Sequence, residues 1–334
     1  MKRRVPAFII GGVGVLLMTF AANLFSVGPA FERLTDDFRP EFKSAEVAAL
    51  RQDVNGLAAT QAEFTTKAVP ALATALKVTP EQFQAQMAQK YPAVTAGVQI
   101  APAVTQEFNG VLSLIDQERG RFTDADAIPT ASLPANSVPW GLAFAGLGCI
   151  GVAFLVARRP GAVLAAVLGV ALVVAPLVMT LPSKADAADT MNSNFKPVYT
   201  AEFVGKAQQS LVAMKAMGAE LQTKLIPDLA VQMNMSPTQL QGYLQSNFPT
   251  MTAGMAAMPA AFGRFDNLVN AFDSSLDNYG TLKPVRLVPI VWATIVAGLL
   301  VAGTAGLVLA QGAAAAPAAE RKRHAAPRGR LAHR

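Results

Sequence analysis

The chain has 334 residues, 52% of them hydrophobic and 15% charged, with a net charge of +6 and a mean hydropathy of +0.34. That balance is too apolar for an ordinary soluble protein and too polar for one wholly embedded in lipid, so a few membrane spans with a large watery part are expected. The single cysteine, Cys149, excludes an intramolecular disulfide, and two histidines confined to the C-terminal tail, His324 and His333, exclude Ser-His-Asp and Cys-His catalytic sets elsewhere.

Residues 1–4, MKRR, form a basic start, expected to be cytoplasmic. No charge follows until Glu32, and roughly 20 apolar residues suffice for a membrane helix, so 5–28 is predicted as the first transmembrane helix. A cleaved signal peptide is the rival reading. A retained span is preferred, because the second copy described below also begins with a span, and that one cannot be a signal.

Residues 29–137 are predicted as an extracytoplasmic helical domain. Val47, Leu50, Val54, Leu57 and Phe64 fall at a and d spacing, interrupted by Gln61, as expected of an amphipathic helix. Glu63 and Lys67 form an i,i+4 pair in the favourable order. Pro70 is expected to kink or end that helix. Thr79-Pro80 reads as a helix start, with a hydroxyl cap followed by proline at the first helical position. This short helix should end before Pro92. A last helix follows, with Val98, Ala101, Val104, Phe108, Val111 and Ile115 on one face and a bend expected at Pro102. Thr123–Val138, with two prolines, is predicted as a loop returning to the membrane.

A second span is predicted at 138–157, a cytoplasmic turn at 158–160, and a third span at 161–181, which makes the two spans a hairpin. Residues 182–286 form a second helical domain and 287–310 a fourth span. The tail, 311–334, is an Ala/Pro linker followed by the basic ERKRHAAPRGRLAHR, expected to be disordered.

The second domain repeats the first at an offset of 157 positions. TPEQFQAQMAQKYPAVTAG (Thr79–Gly97) returns as SPTQLQGYLQSNFPTMTAG (Ser236–Gly254), and Phe38–Phe122 matches Phe195–Tyr279 without a gap at 23 of 85 positions. Five prolines, Phe38, Phe108, Asp116 and the Glu63/Lys67 pair all return. A duplication is the natural explanation.

Orientation follows from charge. The N-terminus, the turn and the tail carry eleven Lys/Arg against one acid, Glu320, whereas the two large polar regions carry nine basic against 13 acidic residues and eight against eight. Short basic segments stay in the cytoplasm. The predicted fold is therefore an all-α membrane protein with four transmembrane helices in two parallel tandem repeats, each span–helical extracytoplasmic domain–span. The repeats are related by a pseudo-two-fold axis along the membrane normal. The predicted location is the bacterial plasma membrane, and the Ala-rich, Arg-heavy composition points to a GC-rich bacterium. Both termini are expected in the cytoplasm.

Candidate functional residues are few. The spans lack ionisable residues, which counts against a pump or proton-coupled transporter. Small residues line one face of each of three spans: Gly141, Ala145, Cys149 and Ala153; Gly161, Ala165 and Gly169; Gly298, Ala302 and Gly306. Such faces let helices approach closely in lipid, either within the four-helix set or against a partner's helix.

Met251, Met255 and Met258 share a helix face, and thioethers are soft ligands for copper(I). Their counterparts Val94, Val98 and Ala101 are aliphatic, however, which is how core filler behaves. Asp116 and Asp273 are a repeated acidic pair, expected to be solvated or capping. Arg321, Lys322, Arg323, Arg328 and Arg330 suit anionic inner-leaflet lipid better than nucleic acid. No enzymatic activity and no cofactor are expected.

The expected role is a non-enzymatic accessory or scaffold subunit of a cell-envelope complex, docking other membrane or envelope proteins. The alternatives are a carrier or chaperone of lipid-like molecules, and a ligand sensor signalling through a partner. The span–helical domain–span order resembles the outer half of bacterial chemoreceptor-type proteins, in architecture only and without a shared motif.

Overall fold

The computed structural model describes residues 5–130, 132–155 and 159–324, and it is all-helical, with no strand among the described residues. In chain order the helices are α1 (Val5–Ala21), α2 (Leu24–Phe38), α3 (Ser44–Glu63), α4 (Val69–Ala75), α5 (Pro80–Lys90), α6 (Pro92–Asp126), α7 (Ser137–Leu155) and α8 (Arg159–Val178). They continue with α9 (Leu181–Phe195), α10 (Ala201–Glu220), α11 (Ile226–Gln232), α12 (Pro237–Asn247), α13 (Pro249–Leu282) and α14 (Leu287–His324). Five-residue π-helical turns, Phe64–Ala68 and Leu221–Leu225, join α3 to α4 and α10 to α11.

Three helices are long and apolar enough to cross a membrane: Ser137–Leu155, Pro160–Val178 and Leu287–Gln311. A fourth crossing exists if the bent pair Phe8–Ala21 and Leu24–Phe38 is one span. The first predicted span is thus not one straight helix. It bends by 52° where Asn23 adopts a left-handed φ of 50°. Thr180, 157 residues on, has a φ of 53° at the break between α8 and α9. Asparagine tolerates this region because its short side chain bonds locally, while a β-branched threonine there is strained.

The chain forms two compact units. The first comprises residues 1–32, 123–190 and 281–334, and the second comprises 33–122 and 191–280. The segments expected as two external domains thus contribute to a single unit. Within the first unit, α1 packs on α7 and α8 on α14, with further contacts between α1 and α14 and between α7 and α8. Its buried core contains Phe8, Cys149, Ala153, Ala165, Val301 and Ala305. Asp189 accepts from the backbone N–H groups of Leu287 and Val288 at 2.9 and 3.1 Å, satisfying orphan donors at the start of α14.

In the second unit, the helical run continues through Pro70 to Ala75. The Val69 N–H bonds the Phe64 carbonyl five residues back, and this wider π turn immediately precedes the proline. Widening the helix there accommodates a residue that has no N–H and would crowd the preceding turn. Ile226 bonds Leu221 in the same way before Pro227.

The helix ends instead at Ala75, with Lys77 in the left-handed region at φ 58°. The Lys77 N–H bonds the Thr74 carbonyl and the Val78 N–H bonds the Ala73 carbonyl, a Schellman closure. Asn234, at φ 56°, closes α11 with the same two bonds, from Asn234 to Val231 and from Met235 to Ala230.

Thr79 caps α5 as expected, and Gln82 completes a capping box that recurs with Ser236 and Gln239 at α12. Helix α5 ends at Lys90, before Pro92. The helix containing Pro102 is longer than expected. It begins at Pro92 and reaches Asp126, so the return loop is shorter than 123–138. The Ala/Pro stretch taken for a linker continues α14 to His324.

Candidate functional site

The second unit is held together by residues 157 positions apart that make matching contacts. Glu63, at the end of α3, accepts from the Met251 N–H at 2.7 Å. Glu220, at the end of α10, accepts from the N–H groups of Ala93 and Val94 at 2.7 and 3.1 Å. Each carboxylate thus caps the first turn of the long helix of the opposite half, where unpaired N–H groups favour an anion. Both carboxylates also bond the lysine one turn on, Lys67 and Lys224.

The Met251 N–H and the Lys67 bond hold the Glu63 carboxyl below the usual range against the cost of burial. Burial works against ionisation of Glu220, but the Val94 and Ala93 N–H groups and Lys224 outweigh it, so its pKa is also lowered.

Close approach between the halves explains the glycine of the retained Thr-Ala-Gly. A Cβ on Gly97 would strike the Met217 side chain, and one on Gly254 would strike the Thr60 hydroxyl; Thr60 and Met217 are 157 positions apart. Phe108 meets Phe265 with ring centroids 4.6 Å apart. At the other end of this unit, Phe42 stacks on Phe122 at 4.1 Å and Tyr199 on Tyr279 at 4.3 Å.

A cleft of about 230 Å³ opens between α3 and α13. Gly56, Thr60, Ala253, Gly254, Ala257 and Ala261 keep it wide, while Leu57, Met258, Phe262 and Phe265 give it apolar walls. Its polar rim includes Gln52 and Asp53. Asp53 is held by both Nε and Nη2 of Arg264, at 2.6 and 2.7 Å. That fork engages both carboxylate oxygens, and it raises the Arg264 pKa further. The site can therefore hold an apolar body without presenting an unpaired charge. It contains no nucleophile paired with a base.

The other residues singled out in the sequence are placed as follows. Met251, Met255 and Met258 are buried, and together with Met217 they line a void of about 30 Å³. The remaining walls of that void include Phe64, Val94, Val98 and Leu221, a setting of apolar packing. Among the described residues no cluster of three His, Cys, Asp or Glu is placed to hold a metal. Asp116 pairs with Arg51 and with Arg119, and Asp273 is exposed.

In the first unit, Cys149, Ala153 and Ala165 are buried, and Ala145 packs against the same core. Gly161 abuts Leu155, Gly169 lies against the Ala302 backbone, and Gly298 faces the Gly169 carbonyl. Gly141 and Gly306 face open space. Arg321, Lys322 and Arg323 fall at the end of α14, but their side chains, together with Arg328 and Arg330, lie outside the described residues, as do residues 1–4 and 158.

Glu63 and Glu220 were legible only as surface partners of Lys67 and Lys224. The available signal was their identity in a stretch where most other polar positions changed. No protein-family model matches the chain, and no curated protein matches it in sequence.

Proposed function

We propose that the chain is a non-enzymatic membrane protein of the bacterial cell envelope that binds a hydrophobic ligand in its helical unit. The observation that carries this reading is the apolar cleft of about 230 Å³ between Gln52–Thr60 and Thr250–Phe265. A concave, mostly apolar opening with a few polar groups at its edge is the usual form of a small-molecule site.

In this reading the chain crosses the plasma membrane four times, as two parallel copies of one duplicated unit. The matched contacts at an offset of 157 and the shared left-handed positions support the duplication. Residues 33–122 and 191–280 lie outside the membrane and both termini lie inside. The cleft draws its walls from both copies, which supports placing both on one side of the bilayer.

Docking to a larger assembly is the second reading, and the open positions Gly141 and Gly306 favour it. The remaining small residues are largely occupied by this chain's own helices, which lowers the weight of an intramembrane partner face.

The test is native mass spectrometry of the full-length protein released from membranes in mild detergent. A bound apolar molecule at one per chain, lost in Ala257→Trp, supports the reading. Identical bound lipid in the wild type and the variant overturns it.

A further inference from the structure

The cleft shares its floor with smaller apolar voids. Leu57, Thr60 and Met258 are shared between it and the Met-lined void of about 30 Å³. Leu57, Phe262 and Phe265 are shared between it and a void of about 10 Å³, which in turn shares Phe108 with another of about 20 Å³. Small apolar voids thus flank the cleft, separated from it by these shared side chains. A rigid, compact ligand would fill the cleft alone, whereas a thin flexible chain could extend into the voids where the shared side chains shift aside. Methionines flank the route at 214, 217, 251, 255 and 258, and their unbranched thioether side chains rearrange more easily than branched ones.

The mouth also restricts the head group. Asp53 and Arg264 neutralise one another in a two-bond fork, and Glu46 adds negative potential near Arg264. An ionised carboxylate or phosphate has no unpaired cation to meet there. An uncharged polar head can still exchange hydrogen bonds with Gln52 or Asp53 at the rim.

The two copies have diverged at this place. Gly56, Thr60, Ala257 and Ala261 stand where the other copy carries Ala213, Met217, Ile100 and Val104. The Met217 side chain packs on Gly97, in the position that the smaller Thr60 occupies beside Gly254. These four positions carry the smaller side chain on the cleft side, while Thr250, Met258 and Phe262 are larger than their counterparts Ala93, Ala101 and Thr105.

We propose that the ligand is a single acyl chain with an uncharged head, entering between α3 and α13 with its tail directed into the adjoining voids. This rests on the reading of the unit as a hydrophobic-ligand binder.

The test uses the full-length protein in lipid nanodiscs and a monopalmitoylglycerol analogue carrying a mid-chain diazirine. After photolysis, labelled peptides are mapped by mass spectrometry. Labelling concentrated in Gln52–Phe64 and Met251–Phe265 is expected, falling at least fivefold in Ala257→Trp and in Ala257→Ile. Ala257 is exposed at the mouth, so neither change disturbs the core. The corresponding palmitic acid analogue should label the same peptides more weakly. Labelling elsewhere in residues 33–122 or 191–280, or stronger labelling by the acid, overturns this inference and leaves the broader reading standing. Labelling confined to the membrane helices overturns both.

Discussion

Glu63 accepts a hydrogen bond from the backbone N–H of Met251 at 2.7 Å, across 188 positions of sequence, and Glu220 likewise accepts from the N–H groups of Ala93 and Val94. The two halves are therefore tied by reciprocal helix caps. Glu63→Ala and Glu220→Ala should each lower the thermal midpoint by on the order of 5 °C, because buried N–H groups lose their acceptor. The check is thermal unfolding of purified full-length variants. An unchanged midpoint for both would contradict the capping role.

The same caps set an acid limit. Both folded-state pKa values lie below the ordinary carboxyl value of 4.5. For a depressed carboxyl, stability is present above the unfolded pKa and is lost as pH falls through the folded one. The midpoint of the wild type should therefore drop more steeply below pH 4.5 than that of the Glu63→Gln/Glu220→Gln double variant, as read by a pH series of melting curves.

Glu41 behaves in the opposite sense. Burial, together with the nearby Glu46, raises its pKa to about 7. A raised carboxyl contributes stability below pH 4.5, and that contribution declines as pH rises through about 7. Val198 stands at the matching position of the other half. Glu41→Val should consequently melt higher than wild type at pH 8 and lose that advantage at pH 5. Equal midpoints for the two proteins at pH 8 would remove the effect.

Much of this architecture is legible in the sequence, and the failures have physical causes. The Thr79-Pro80 start was visible because a cap is a local event, settled within four residues. Pro70 does not end its helix, because a π turn changes which carbonyl the neighbouring N–H seeks, and proline rules assume an α-helical ladder. The methionines lie in buried, apolar surroundings, in keeping with the aliphatic counterparts that the other copy carries. The cross-half role of Glu63 was hidden, since its partner lies far away in sequence while Lys67 offers a plausible one nearby. The cleft was invisible for the same reason: α3 supplies one wall and α13 the other.

The Asp53–Arg264 fork at the cleft rim should be energetically coupled. Arg264→Ala leaves a largely buried carboxylate without its partner, at a cost of about 2 kcal/mol, discounted for the partial exposure of Arg264. A double-mutant cycle with Asp53→Ala should recover a coupling of about 1 kcal/mol or more. Additive effects would show that the two side chains act independently.

In the first unit, Gly169 lies against the Ala302 backbone whereas Gly141 faces open space. Gly169→Leu should destabilise by about 2 kcal/mol or more through overpacking, and Gly141→Leu should be tolerated. Thermal stability in detergent distinguishes them, and equal sensitivity would contradict the observed helix pairing.

The whole account depends on both halves of the helical unit lying on the outer side of one membrane. Single cysteines at Gln84 and Gln241, both exposed, test this in intact cells with the outer barrier opened, in a Cys149→Ala background. The account predicts labelling of both positions by an impermeant thiol reagent, and no labelling of a cysteine at Ala325 until the cells are lysed. Labelling of only one of Gln84 and Gln241, or of Ala325 alone, would contradict it.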